Sequence, residues 1–101
     1  MEQLPADATT PEGRRVTLTR DDWLHISFRH PEVGPDPAGV LLAVSNPDEV
    51  YLGGRSEYHA LKRIDAGHFM VVIYELEEHG GFIRTAFIMN EKRKKRRYSE
   101  R

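Results

Sequence analysis

The chain reads as an α+β domain: two N-terminal helices packed on one face of a three- to four-stranded antiparallel β-meander, followed by a basic C-terminal tail. Three observations predict this. Two segments with helix-capping residues and helical apolar spacing come first, over residues 19–30 and 34–46. Four segments rich in β-branched and aromatic residues follow, over 49–54, 57–64, 68–76 and 81–89. Finally, charge is unevenly placed. Residues 1–90 hold eight Lys/Arg against fourteen Asp/Glu, and residues 91–101 hold seven against two, so a body of −6 carries an end of +5.

Residues 1–18 contain Pro, Thr, Asp and Gly without periodicity and read as a disordered or loose leader. The single domain then spans 19–90 and the basic tail 91–101. Thr19 is the expected N-cap of the first helix, with Asp21 and Asp22 in its first turn, where the helix dipole favours acids. The helix should run from Arg20 to Arg29, because Pro31 disfavours a helical His30. At about 100° per residue, Trp23, Leu24, Ile26, Ser27 and Phe28 fall on the core side. His25 and Arg29 fall on the polar side, and His30 projects back beside Trp23. In the second helix Asp36 caps, Pro37 opens, and Val40, Leu41 and Val44 are buried. "HFMVVIYEL" is apolar on both faces, as expected of a central strand covered on each side. "EEHGG" turns it back into "GFIRTAFIM".

The chain has no cysteine, which excludes disulfide and thiolate-metal chemistry and suits a reducing cytoplasm. It has no apolar run long enough to span a membrane and no secretory signal. Its five histidines lack metal-ligand spacing, so neither a metal site nor a cofactor is expected. No Gly-rich phosphate loop or GxSxG elbow is present. Metal-free acid–base chemistry on a phosphate, or binding without chemistry, is left.

His25 and Arg29 stand at i,i+4 and are neighbours on the polar face. An imidazole exchanges protons near neutral pH and an adjacent guanidinium holds a phosphate, although a solvated helix face explains the same pair. On the last strand, alternation places Arg84 with Phe82, Ala86 and Ile88, and Thr85 with Ile83 and Phe87. Arg84 needs an anion, which is either a phosphate or Glu75 or Glu77. Thr85 is either a donor or simply a good strand former. Lys62 with Tyr58 is either a basic-aromatic spot or a pair of ordinary strand residues. "KRKKRRY", Lys92, Arg93, Lys94, Lys95, Arg96, Arg97 and Tyr98, combines six consecutive cations with an aromatic ring. That segment fits a polyanion backbone with a base-stacking option, or a solvated tail.

Taken together, "W-x-H-I-x-x-R-H-P-E" (Trp23 to Glu32), "NPDEVY", Arg55 followed by "Y-x-x-x-K-R", and "G-F-I-x-T-A-F" resemble a nuclease group. This is the phage- and toxin-associated group that unites barnase, EndoU, colicin and RelE-like ribonucleases, and the likeness covers residues 19–98. The resemblance implies two helices on one face of a curved antiparallel sheet and RNA on the other. It implies a cleavage without metal in which the ribose 2′-hydroxyl attacks the phosphate. His25 would be the acid/base, Arg29 or Arg55 with Lys62 the phosphate clamps, Thr85 a hydrogen-bond donor, and Tyr98 a C-terminal contributor. An antitoxin or immunity protein would be a further partner. The alternatives are a non-catalytic nucleic-acid-binding module, or an accessory protein of a phage or mobile element.

Overall fold

A computed structural model describes residues 3–99. Met1, Glu2, Glu100 and Arg101, the ends of the expected leader and tail, lie outside the described residues. Among the described residues the order is β1 (Ala6–Thr9), β2 (Arg15–Leu18), α1 (Arg20–Arg29), a 3₁₀ turn (Pro31–Val33), α2 (Ala38–Ser45), β3 (Glu49–Leu52), β4 (Tyr58–Asp65), β5 (His68–Glu77), β6 (Gly80–Asn90) and α3 (Glu91–Tyr98).

The expected fold class is therefore corrected. The described strands form one six-stranded sheet in the order β1-β2-β6-β5-β4-β3. It is mixed, because β2 joins β6 in parallel through Val16↔Gly81 and Thr17↔Phe82 while every other pairing is antiparallel. Two strands precede the helices, and a third helix covers the opposite face. The expected leader is in fact a hairpin. Its turn closes where the buried Thr10 hydroxyl accepts the Arg14 N–H at 3.0 Å, and Gly13 supplies a φ of +90° that other residues rarely adopt. The expected tail is likewise a helix through Tyr98.

The first helix has the expected bounds and cap: the Thr19 hydroxyl accepts the Asp22 N–H at 3.1 Å. Its buried stripe is narrower than expected. Trp23 and Ile26 enter the core, whereas Leu24 and Phe28 are 60% and 85% exposed. Among the strands α1 packs chiefly on β6, so only an i,i+3 line of side chains meets the sheet. In α2 Pro37 takes the cap position itself, and Asp36 accepts the Ala38 N–H at 3.0 Å from one residue further out. Val40, Leu41, Ala43 and Val44 are buried.

The sheet separates two cores. α1 and α2 cover Ala60, Met70, Val72, Tyr74, Ile83 and Ala86 on one face. On the other, Tyr98 of α3 joins Leu61, Phe69, Val71 and Met89. β5 is thus apolar on both faces because both are covered. The β5–β6 register shifts between Ile73↔Thr85 and Tyr74↔Ile83, leaving Arg84 as the extra residue of a bulge. Strict alternation across this strand is corrected accordingly: Ile83 and Ala86 enter the same core, and Arg84 shares a face with neither Ala86 nor Ile88.

The backbone approach at Gly81 gives a direct test of this packing. A Cβ there would lie 2.5 Å from the Glu75 carbonyl oxygen, whereas one at Gly54 would meet nothing within 4 Å. Gly81→Ala should lower unfolding stability by about 1–3 kcal/mol, and Gly54→Ala should change it little. Urea denaturation of the two variants, read by circular dichroism, checks the pair.

Candidate nucleic-acid interface

β6 is eleven residues long and β2 pairs with it only at Gly81 and Phe82, so among the described residues no strand pairs with the rest of that edge. Open strand edges need covering. Here the chain leaving α1 does so. Pro31 ends the helix, and the following 3₁₀ turn carries Glu32 to the edge, where Glu32 Oε2 accepts the Ile88 N–H at 3.5 Å. His30 comes with it. Its ring lies 5.6 Å from that of Phe87, and its Nδ1 lies 3.3 Å from Glu32 Oε2. His30 is therefore about one-third exposed against β6, which corrects its expected burial beside Trp23.

The helix that follows β6 closes the other side. Asn90 caps α3 by accepting the Arg93 N–H at 2.8 Å. Arg93 and Arg97, one helical turn apart, then share a side. Together His30, Glu32, Thr85, Phe87, Ile88, Arg93 and Arg97 line a cavity of about 280 Å³. It holds two guanidinium groups, an imidazole, a hydroxyl, a carboxylate and one aromatic ring. Such a set fits a phosphodiester: the guanidiniums meet its oxygens, the hydroxyl donates, and the imidazole exchanges a proton.

The sequence candidates separate into three groups. Thr85, Arg93 and Arg97 meet at this cavity. Lys92, Lys95 and Arg96 are exposed on α3 with Arg93 and Arg97, and Glu91 attracts Lys95 from one turn away. The remaining candidates are elsewhere or engaged. His25 and Arg29 are exposed on α1 and do not line the cavity. Lys62 Nζ lies 3.9 Å from Asp48, and Arg84 pairs with Glu75 at 3.4 Å beside the Phe82 ring, as the carboxylate alternative expects. Arg55 is exposed in the β3–β4 turn. Lys94 points down to the sheet, 2.9 Å from Glu49, and that hydrogen bond holds its ammonium above the ordinary range. Burial pushes Glu49 up, but hydrogen bonds from Lys94 and Tyr51 outweigh it and hold the carboxyl low.

Tyr98 is buried, not presented to a ligand. Its hydroxyl lies 2.8 Å from His59 Nδ1, and its ring stacks on Tyr51 at 4.5 Å. His59 is also buried, with Nε2 3.0 Å from Glu57 Oε2. The hydrogen bond from His59, with the Arg55 and Glu57 backbone amides, takes the Glu57 carboxyl down to about 2. Sequence reasoning missed this trio and missed His30 and Glu32 as a pair. The signal was there: Glu57 and His59 alternate onto one strand face, and His30 and Glu32 flank the proline that turns the chain. Among the described residues no three His, Asp or Glu side chains are grouped to hold a metal ion, and no helix is long and apolar enough to cross a membrane.

Glu57 sets a pH dependence with a definite sign. Its carboxyl falls from 4.5 to about 2 on folding, so it stabilises the fold above 4.5 and that contribution is lost as pH falls towards 2. Unfolding free energy measured by denaturant titration should decline through that window, and Glu57→Gln should make the decline shallower. An equally steep acid limb in the variant would contradict the assignment. Compared with known proteins, the chain matches no family model, no curated protein and no solved structure.

Proposed function

We propose that the chain is a metal-independent ribonuclease whose site is the cavity between His30–Glu32, β6 and α3. One observation carries the reading: an imidazole from the turn after α1, a hydroxyl from β6 and two arginines from α3 line the same small cavity beside a basic helix. In this reading a single-stranded RNA runs its phosphates along Lys92, Lys95 and Arg96 and sets one of them between Arg93 and Arg97. Glu32 orients the His30 ring through Nδ1, leaving Nε2 to take the proton of the ribose 2′-hydroxyl. The 2′-oxygen attacks phosphorus, the bond to the 5′-oxygen breaks, and that oxygen leaves with a proton from water admitted by the open mouth. Arg93, Arg97 and the Thr85 hydroxyl carry the charge that builds on the phosphorane oxygens.

His30 thus takes the role first expected of His25, because His30 is the histidine at the cavity. The cytoplasm supplies such a substrate, and an antitoxin or immunity protein would act by covering the same opening.

The chemistry fixes the products. Cleavage should proceed in EDTA and leave a 2′,3′-cyclic phosphate and a free 5′-hydroxyl, and a 2′-deoxy linkage should bind without being cut. His30→Ala should cost roughly 10²- to 10⁴-fold in rate, Thr85→Val less, and His25→Ala little. Binding without cleavage of any RNA would instead make the chain a nucleic-acid-binding module. Activity that survives in His30→Ala would remove the proposed base.

Affinity should also depend steeply on salt. Five exposed cations on α3 predict a log–log slope of about −3 to −4 on a single strand, measured by fluorescence anisotropy across a salt series. Arg93→Gln with Arg97→Gln should reduce that slope by about one to two units. A slope that the double variant leaves unchanged would place the bound phosphates elsewhere.

A further inference from the structure

α3 is capped by Asn90 and has Glu91 in its first turn, but it cannot hold by itself. Eight residues are too few to hold an isolated helix in water. Lys92 and Arg96, like Arg93 and Arg97, set equal charges at i,i+4, which opposes it further. One line of its side chains is fastened to the sheet: Glu91, Lys94 and Tyr98. Glu91 meets Arg63 at 2.9 Å, Lys94 meets Glu49 at 2.9 Å, and Tyr98 meets His59 at 2.8 Å.

The two ends of the helix are held differently. At the N-terminus the Asn90 cap and the Arg63 pair are joined by a hydrogen bond from the Glu91 N–H to the Gly67 carbonyl at 2.9 Å. The C-terminal end rests on Tyr98, buried to 2% exposure between Tyr51 and His59. The ionised Glu57 carboxylate can only accept, so Nε2 of His59 donates to it, and Nδ1 shares a hydrogen bond with the Tyr98 hydroxyl. Glu57 is fixed in turn by the Arg55 N–H, which donates to Oε1 at 2.9 Å. A chain of hydrogen bonds therefore runs from the β3–β4 turn to the last residue of α3.

We propose that Glu57, His59 and Tyr98 are positioning residues that lock the last turn of α3 to β4 and so set Arg93 and Arg97 at the cavity. The proposal rests on the nuclease reading only for what the two arginines hold. It carries a consequence for regulation. A polyanion along Lys92, Lys95 and Arg96 relieves the repulsion that opposes the helix, so anion binding and α3 order favour each other reciprocally.

The test measures amide hydrogen exchange in α3 and the affinity for a 2′-deoxy single-stranded oligonucleotide, which cannot be cut. Tyr98→Phe keeps the ring and removes the hydroxyl, and Glu57→Gln keeps the shape and removes the charge. Tyr58→Phe, a hydroxyl lost on the other face, is the control. Tyr98→Phe should lower protection in the last turn of α3 about three- to tenfold, the usual weight of one hydrogen bond, with β5 amides unchanged. Oligonucleotide affinity should fall severalfold, and saturating oligonucleotide should restore most of the protection. Glu57→Gln should move both readouts in the same direction by less, and Tyr58→Phe should move neither. Unchanged α3 protection in both variants would overturn the proposal, as would an equal loss in α3 and β5, or undiminished affinity with a frayed helix. Failure of the unaltered protein to bind the oligonucleotide would sink the phosphate reading, while the exchange data judge the lock independently.

Discussion

The candidate site depends on an incomplete pairing. β6 has a full antiparallel partner in β5, but β2 covers its opposite edge at two positions only. An exposed edge presents backbone groups that need partners. The Pro31–Val33 turn provides one through Glu32, and this contact holds His30 beside Phe87. Had β2 continued along β6, no recess would separate the turn from α3. The register that limits β2 therefore also makes room for the cavity.

The second determinant is how the positive charge is divided. Of the six adjacent cations in α3, Lys94 is paired against the sheet, which fastens the helix. Arg93 and Arg97 turn to the cavity, and Lys92, Lys95 and Arg96 face outward. A tail of the same composition without a helix would attract polyanions equally well but would direct none of its cations to a particular atom. The buried Glu57–His59–Tyr98 chain belongs to this division, because it fixes the end of the helix that carries Arg97.

Much of this was legible in the sequence where a local rule acts alone. Thr19 as a cap, Pro31 as a stop and the two-sided apolar run of β5 read directly, because each depends on neighbouring residues only. The β1–β2 hairpin was read as a leader because its strands have four residues each and weak alternation, and its place beside β6 depends on a pairing more than sixty residues away. The basic run over 91–101 reads as a tail with no element assigned, because the burial of Tyr98 that fastens α3 is a tertiary contact. At the site, Thr85 and the arginines were found by residue type. His25 was preferred to His30 because helical phase cannot show that the turn after Pro31 swings His30 to the edge of β6.

The central claim is that one cavity, at the open edge of β6, receives the nucleic-acid backbone. Chemical-shift mapping with an uncleavable 2′-deoxy single strand tests it most directly. The largest shifts should fall at His30, Glu32, Thr85 to Ile88 and Arg93 to Arg97, with little change at His25, Arg29 and Lys62. Shifts centred on His25, Arg29 and Lys62, with His30 and Thr85 silent, would contradict it.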